Sequence, residues 1–417
     1  MADFQPPRGM RDYLPEEMIA REGMLEKITA VFRTFGFDPL ETPALESMEV
    51  LRAKAGELGG QIFSVEGELG LRFDLTVPLA RVVASNPALP KPFRRYCIAR
   101  VWRREEPQRG RLREFIQADI DIVGSAEMSC EAELLACAGK ALEAAGFAEY
   151  RIRLNNRKIV ERVLEAQGIA KGALVTVMRS LDKTEKIGED GVVRELEAKG
   201  VSGETARGLL RVLKAEGSNA QKLASMEGTA GEGVRELREI LELAKAYGID
   251  ERIEVDFLLV RGLDYYTGPV FEIEAGGGVG SIAGGGRYDN LIQSYGGEPT
   301  PAVGISLGVE RMMALRGEGG VRTRTKVFVA NTRPEFLPSA IKVAQALRER
   351  GIAAQTDVMG RNLRKQFEYA AGAGIPFVAV IGEREMKEGK LTLRDLAKKE
   401  ERAVTLAEAV RILRGRG

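Results

Sequence analysis

The 417-residue chain contains no histidine. That absence excludes a histidine general base, a histidine-dependent nucleophile triad and histidine metal ligands. Any acid–base or phosphate chemistry has to use Arg, Lys, Asp, Glu or Tyr. Cysteine is also scarce. Cys97, Cys130 and Cys137 form no CxxC pair and no disulfide framework, so a reducing compartment is expected. No apolar run approaches the ~20 residues of a membrane span, and the N-terminus has no signal pattern. The expected location is the cytoplasm, with no membrane association. Phosphate-loop signatures are missing too. The cluster GGGVG lacks a following Lys-Ser/Thr, and no G-x-G-x-x-G follows a first strand. These glycines read instead as tight turns and places where a ligand approaches the backbone.

The formal net charge is only +1, so no global basic field announces nucleic acid. The balance is uneven, however. From Lys326 onward there are 18 Lys/Arg against 11 Asp/Glu. The rest of the chain must therefore be acidic. A basic tail domain suits RNA contact, although a solvated basic surface gives the same count. The length suggests two or three domains with ample core.

One stretch organises the chain: Arg94–Gly124, RRYCIARVWRREEPQRGRLREFIQADIDIVG. It reads as strand, polar loop, strand. Tyr96–Trp102 is apolar and β-branched enough for a buried strand. Pro107 and Gly110 break the loop. In the second strand Leu112, Ile116, Ala118, Ile120 and Ile122 share a face that suits a core. Arg111, Arg113, Phe115, Gln117, Asp119 and Asp121 share the other. That polar face is either a wet sheet with cross-strand ion pairs or a floor for a flat, anionic, amine-bearing ligand. Arginines suit phosphate, Phe115 suits an aromatic base, and Gln117 with Asp121 suits an amine.

The stretch resembles motif 2 of class II aminoacyl-tRNA synthetases, in the form found in the histidyl-tRNA synthetase family. Other segments resemble that family in the right order. The helix expected over Glu16–Phe35, the following strand and Pro43 look like the dimer-forming motif 1. RFDLTVP, residues 72–78, looks like the amino-acid-binding segment of the archaeal and eukaryotic branch, although Asp74 or Thr76 before a helix is also an ordinary cap. RGLDYYTGPVFEI (261–273) and SIAGGGRYDNLI (281–292) look like the two histidine-specific signatures. AVGISLGVERMMAL (302–315) looks like motif 3, with Arg311 in the first helical turn.

The resemblance implies an α+β catalytic domain on an antiparallel class II sheet, over residues 1–155 and 248–318. A helical insertion is expected over 156–247, where i, i+3, i+4 spacing recurs. A linker, 319–325, leads to a three-layer α/β anticodon-binding domain over 326–417, where strands and helices alternate. The implied activity is histidine–tRNA ligation, with ATP, L-histidine and tRNA(His) as partners, in a homodimer. The alternative is a non-catalytic paralog serving as regulatory subunit of ATP phosphoribosyltransferase. Both histidine signatures and the C-terminal domain are present, which argues against it.

The resemblance assigns roles residue by residue. Arg103 and Arg261 would be catalytic, bridging the substrate carboxylate and the α-phosphate from opposite sides. Glu105, Arg111, Phe115 and Arg311 would join Arg103 in binding ATP, with Phe115 and Arg311 sandwiching adenine. Asp74, Thr76 and Gln117 would take the α-ammonium. Asp121, Tyr265 and Tyr266 would take the imidazole. The bacterial form has the longer glutamate at Asp121, so either the ring lies closer here or a water intervenes. Gln108 and Arg109 would meet the acceptor end of the tRNA. Mg²⁺ is expected only with ATP as substrate, and neither a resident metal nor a tightly bound cofactor is expected. With no histidine in the protein, the pH dependence of the reaction near pH 6–7 is expected to follow mainly the substrate's own ring.

Overall fold

The computed structural model describes residues 4–53, 56–260, 265–276, 278, 280–317 and 320–415. The chain divides into two compact units, Met1–Arg11 with Met24–Gly317, and Asp12–Gly23 with Glu318–Gly417.

The first unit is built on an eight-stranded sheet. In chain order its strands are β1 (Asp38–Pro39), β2 (Phe93–Trp102), β3 (Glu114–Val123), β4 (Arg151–Asn156), β5 (Ile253–Val255), β6 (Pro269–Glu274), β7 (Ala283–Arg287) and β8 (Ala302–Gly308). The spatial order is β1-β2-β3-β8-β7-β6-β4-β5. The six central strands run antiparallel, and only the outermost pairs, β1–β2 and β4–β5, are parallel. A three-stranded sheet of Leu45–Ser47, Leu69–Leu71 and Ser64–Val65 accompanies it.

Alternation along β3 divides the unit into core and floor. Ala118, Ile120 and Ile122 are buried in the main core with Leu134, Cys137 and Leu142 of the helix Ser129–Ala145. Met24, Ile28 and Phe32 join from the helix Pro15–Thr34. Gln117, Asp119 and Asp121 turn the other way and line a cavity.

One expected boundary moves. The second strand starts at Glu114, so Arg111–Arg113 belong to the loop. The cause is a turn in which the Gln108 and Arg111 backbones exchange two hydrogen bonds of 2.9 Å, with Gly110 at φ +70°. Leu112 consequently lines the cavity rather than the core. The strand that begins at Ile253 ends at Val255, because the Asp256 carboxylate accepts from the Leu258 N–H (2.9 Å) and turns the chain.

Residues 157–247 carry the helices Arg157–Ala166, Leu174–Leu181, Thr184–Ala198, Gly203–Leu213 and Asn219–Tyr247. Their apolar faces do not make a separate core. Val160, Leu181, Leu196, Leu210 and Leu237 belong to the same buried cluster as the sheet.

The second unit holds β9 (Val327–Asn331), β10 (Ala354–Thr356), β11 (Phe377–Ile381), β12 (Leu391–Asp395) and β13 (Glu400–Val404) in the order β10-β9-β11-β12-β13. Val327 and Val329 pack under the helices Leu337–Arg348 and Leu406–Arg414, whereas Phe328 and Ala330 pack under Leu363–Gly372. The domain is therefore three-layered. Its strand β13 was not legible in the sequence. It is an edge strand with four exposed residues, so no apolar alternation marks it. Among the described residues no helix is long and apolar enough to cross a membrane.

Candidate active site

The floor of β2, β3, β8 and β7 lies under a cavity of about 840 Å³, within the usual size of a small-molecule site. The register sets what faces it. Val101, Ala99, Cys97 and Arg95 on β2 stand opposite Phe115, Gln117, Asp119 and Asp121 on β3. On the other side Gly308, Ser306 and Gly304 of β8 face Gln117, Asp119 and Asp121. The glycine at 304 is required by space, since a Cβ there would strike the Asp121 carboxylate.

Asp74, Thr76, Arg103, Glu105, Arg111, Phe115, Gln117, Asp121, Tyr265, Tyr266 and Arg311 all line this one cavity. Arg261 lies outside the described residues. Gln108 and Arg109 do not line it. They are exposed on the turn beside it, where Arg109 reaches the Ala314 carbonyl at 3.4 Å.

Asp74 serves both readings open in the sequence. One oxygen accepts the Val77 N–H at 3.0 Å and caps the helix Thr76–Ser85. The other is buried without a partner. Burial pushes its pKa up to about 6, against the cap and the charges of Arg103 and Arg95. Gln117 donates from its amide nitrogen to Ser306 Oγ at 2.7 Å, leaving its amide oxygen buried and unpartnered. Asp119 is buried, hydrogen-bonded to Ser306 through one oxygen only. Burial first, then the Asp121 and Asp74 charges, push its pKa up to about 7 despite Arg95. Three acceptors in one pocket with neither a hydrogen bond nor an ion pair form a site for donors of positive charge.

Asp121 is different, because its carboxylate is already engaged. Arg95 Nη2 is ion-paired with one oxygen at 2.8 Å, without hydrogen-bond alignment, and the Tyr288 hydroxyl donates to the other at 2.5 Å. The residue before Tyr288, Arg287, makes a buried two-pronged pair with Glu131 at 2.6 and 2.8 Å. Tyr265 contacts both Tyr266 and Tyr288 edge-on, at centroid distances of 5.0 and 6.0 Å, and hydrogen-bonds Thr76.

The cationic side is equally ordered. Arg103 Nε donates to the Phe73 carbonyl at 2.9 Å, and its guanidinium lies 5.2 Å from the Phe115 ring centre. Arg103 therefore occupies part of the ring face expected to stack a base. Arg111 is bonded to Glu105. Burial works against ionisation of Glu105, but Arg111, with Arg103 and Arg311, outweighs it and holds the carboxyl below its usual range. Arg311 donates to the Ser281 carbonyl. Asp119, Ser306, Tyr288 and Arg95 are the site residues that sequence reasoning passed over. Alternation put Asp119 on the polar face. The pairing with Ser306 and the engagement of Asp121 come from strand register, which no local pattern reveals.

An antiparallel sheet whose floor joins paired guanidiniums to buried acceptors is the catalytic architecture of class II aminoacyl-tRNA synthetases. Comparison narrows the class. The family model for histidyl-tRNA synthetase matches residues 9–312, and that for the anticodon binding domain matches 326–416. The chain belongs to the histidyl-tRNA synthetase family. It is 41% identical to a histidine–tRNA ligase of Aeropyrum pernix, over 98% of this chain and 97% of the relative. It is 40% identical to one of Korarchaeum cryptofilum, over 98% of both. A crystal structure of histidyl-tRNA synthetase from Nostoc sp. PCC 7120 superposes over the full length of both chains, with a TM-score of 0.87 at 33% identity.

Proposed function

We propose that the chain is a histidine–tRNA ligase. The histidine carboxylate attacks the α-phosphorus of ATP, the bond to pyrophosphate breaks, and histidyl-adenylate results. The acyl group then passes to the 3′-terminal ribose of tRNA(His). The carrying observation is that one cavity combines three unpartnered buried acceptors, Asp74, Gln117 and Asp119, with the guanidiniums of Arg103, Arg111 and Arg311. The acceptors suit the cationic amino acid and the guanidiniums suit the triphosphate.

Charge builds on the phosphoryl oxygens during attack, and each fixed donor lowers that barrier by about 2.7–4 kcal/mol. Arg103, anchored through Nε to the Phe73 carbonyl, offers its remaining nitrogens to the carboxylate and α-phosphate. Arg261 acts from the opposite side. Arg111, steadied by Glu105, takes the outer phosphates. Phe115 and Arg311 enclose adenine, with Arg103 turning from the ring to the phosphate. Asp74, Thr76 and Gln117 receive the ammonium, and the imidazole lies toward Tyr265, Tyr266 and the Asp121 end of the floor. Mg²⁺ arrives on the ATP phosphates. Gln108 and Arg109 reach the tRNA acceptor end from their exposed turn.

The protein acts as a cytoplasmic homodimer through its motif 1-like helix and strand. A stable monomer in sedimentation at micromolar concentration would overturn the dimer. Histidine-dependent ATP–pyrophosphate exchange tests the activity. Absence of exchange sinks the ligase reading and favours the regulatory paralog, and exchange driven by another amino acid sinks the specificity.

A further inference from the structure

We propose that Asp119, not Asp121, is the carboxylate that accepts the ring N–H of histidine, with Asp121 a positioning residue held back from the ligand. This rests on the ligase reading and assigns the specificity contact within it.

Asp121 has little left to offer. Tyr288 hydrogen-bonds one oxygen at 2.5 Å. The other accepts no aligned hydrogen bond but is ion-paired with the buried Arg95 at 2.8 Å, and the close backbone of Gly304 confines the carboxylate from below. Asp119 is the reverse case. One oxygen is held by Ser306, and the other is buried in the cavity lining with no donor. A buried carboxylate oxygen without a partner is costly to the empty protein, and a ligand donor removes that cost.

Position separates the ring from the ammonium. Asp74 lies in the field of Arg103, the group that meets the substrate carboxylate, so the α-ammonium belongs there. Asp119 is two residues deeper along β3 than Gln117, about 6.8 Å at strand spacing, comparable with the reach from the α-nitrogen of histidine to its ring. The charged groups acting on Asp119 are Arg95, Asp121 and Asp74, and Cys97 stands opposite it on β2. Beyond its β8 partner Ser306 comes Gly284 on β7, which carries no side chain and leaves space for a flat ring. Ser306 also fixes the division of labour. It accepts from the Gln117 amide nitrogen, so the amide oxygen is turned to the ammonium while the Ser306 hydroxyl holds Asp119.

The test compares equilibrium dissociation constants for histidine and β-thiazolylalanine, which keeps the amino-acid backbone but has no ring N–H. Calorimetry on the full-length wild type, Asp119→Asn, Asp121→Asn and Asp74→Asn gives all eight values without needing turnover. In the wild type histidine binds far more tightly than the thiazole. Asp119→Asn is expected to weaken histidine by about 10- to 150-fold and the thiazole little, so the preference collapses. Asp74→Asn is expected to weaken both alike and preserve it. An undiminished thermal midpoint and an unchanged ATP dissociation constant for Asp119→Asn show that the fold and nucleotide site are intact. The proposal is overturned if Asp119→Asn keeps the preference, or if Asp121→Asn removes it while Asp119→Asn does not. Failure of the wild type to bind histidine at all refutes the ligase reading itself, a separate result.

Discussion

Replacing Asp74 by Asn should make the empty protein more stable and a worse enzyme. The Asp74 pKa rises from an ordinary 3.8 to about 6 because the carboxyl is buried. The folded state therefore holds its proton more tightly than the unfolded chain does. Well below the unfolded pKa of 3.8, near pH 3 and lower, both states are protonated and burial of the group costs nothing in charge. As pH rises from 3 through 6, the unfolded chain ionises first, and folding stability falls by about 3 kcal/mol, fully expressed at pH 8. Asparagine cannot ionise, yet its side-chain oxygen can still cap the Val77 N–H. The expected result in urea unfolding of the ligand-free first unit is a gain of up to about 3 kcal/mol at pH 8 that vanishes near pH 3. Exchange should lose tenfold or more in kcat/KM for histidine, the value of a charged hydrogen bond. A stability gain that is the same at pH 3 and pH 8 would refute the reasoning, since packing and not charge would then be its source. A loss at pH 8 would refute it as well.

Glu131→Gln breaks the buried pair with Arg287 and should cost about 3–5 kcal/mol in urea unfolding. A double change of both residues to Leu should recover most of it, and no recovery would mean that the ion pair itself is needed. Arg261→Ala should lower exchange by about 10²- to 10³-fold with the fold intact; a normal rate would remove Arg261 from the chemistry. Deleting residues 326–417 should leave exchange largely unchanged while weakening tRNA charging. An equal loss of both would mean that this unit supports the first one's fold.

How much of this was legible in the sequence depended on whether the cause was local. The alternation of Ala118, Ile120 and Ile122 against Gln117, Asp119 and Asp121 depends on neighbours two residues apart, and it appears as read. Eleven named site residues, from Asp74 to Arg311, line one cavity although they come from four separated segments; the order of the motifs carried that. Pairing was not legible. Arg95 meets Asp121, Ser306 meets Asp119 and Gly304 meets Asp121 because of register between strands up to two hundred residues apart. The start of β3 was misplaced because the Gln108–Arg111 turn extends the loop past the point where alternation begins. Strand β13 was missed because an exposed edge strand has no apolar face to show.

With no histidine in the chain, pH dependence near pH 6–7 is expected to follow mainly the substrate ring, with perturbed carboxylates the chief complication. The fold supplies that complication. Burial brings Asp74 to about 6 and Asp119 to about 7, so two carboxylates occupy the range that histidine usually fills, and both face the ligand. A cationic ammonium beside Asp74 and a ring N–H at Asp119 favour the ionised forms, and binding must therefore expel protons from the protein at pH 6–7. The apparent affinity for histidine should rise with pH through this window and level off above it. The substrate's own titration is superimposed on that rise. Changing the ring pKa with an accepted analogue moves the substrate's share of the inflection and leaves the protein's share in place. Asp74→Asn does the opposite, removing the lower part of the rise. If the entire inflection moves with the ring, the two aspartates are ionised already in the empty site, and the low-dielectric pocket argued for here is wetter than its burial implies.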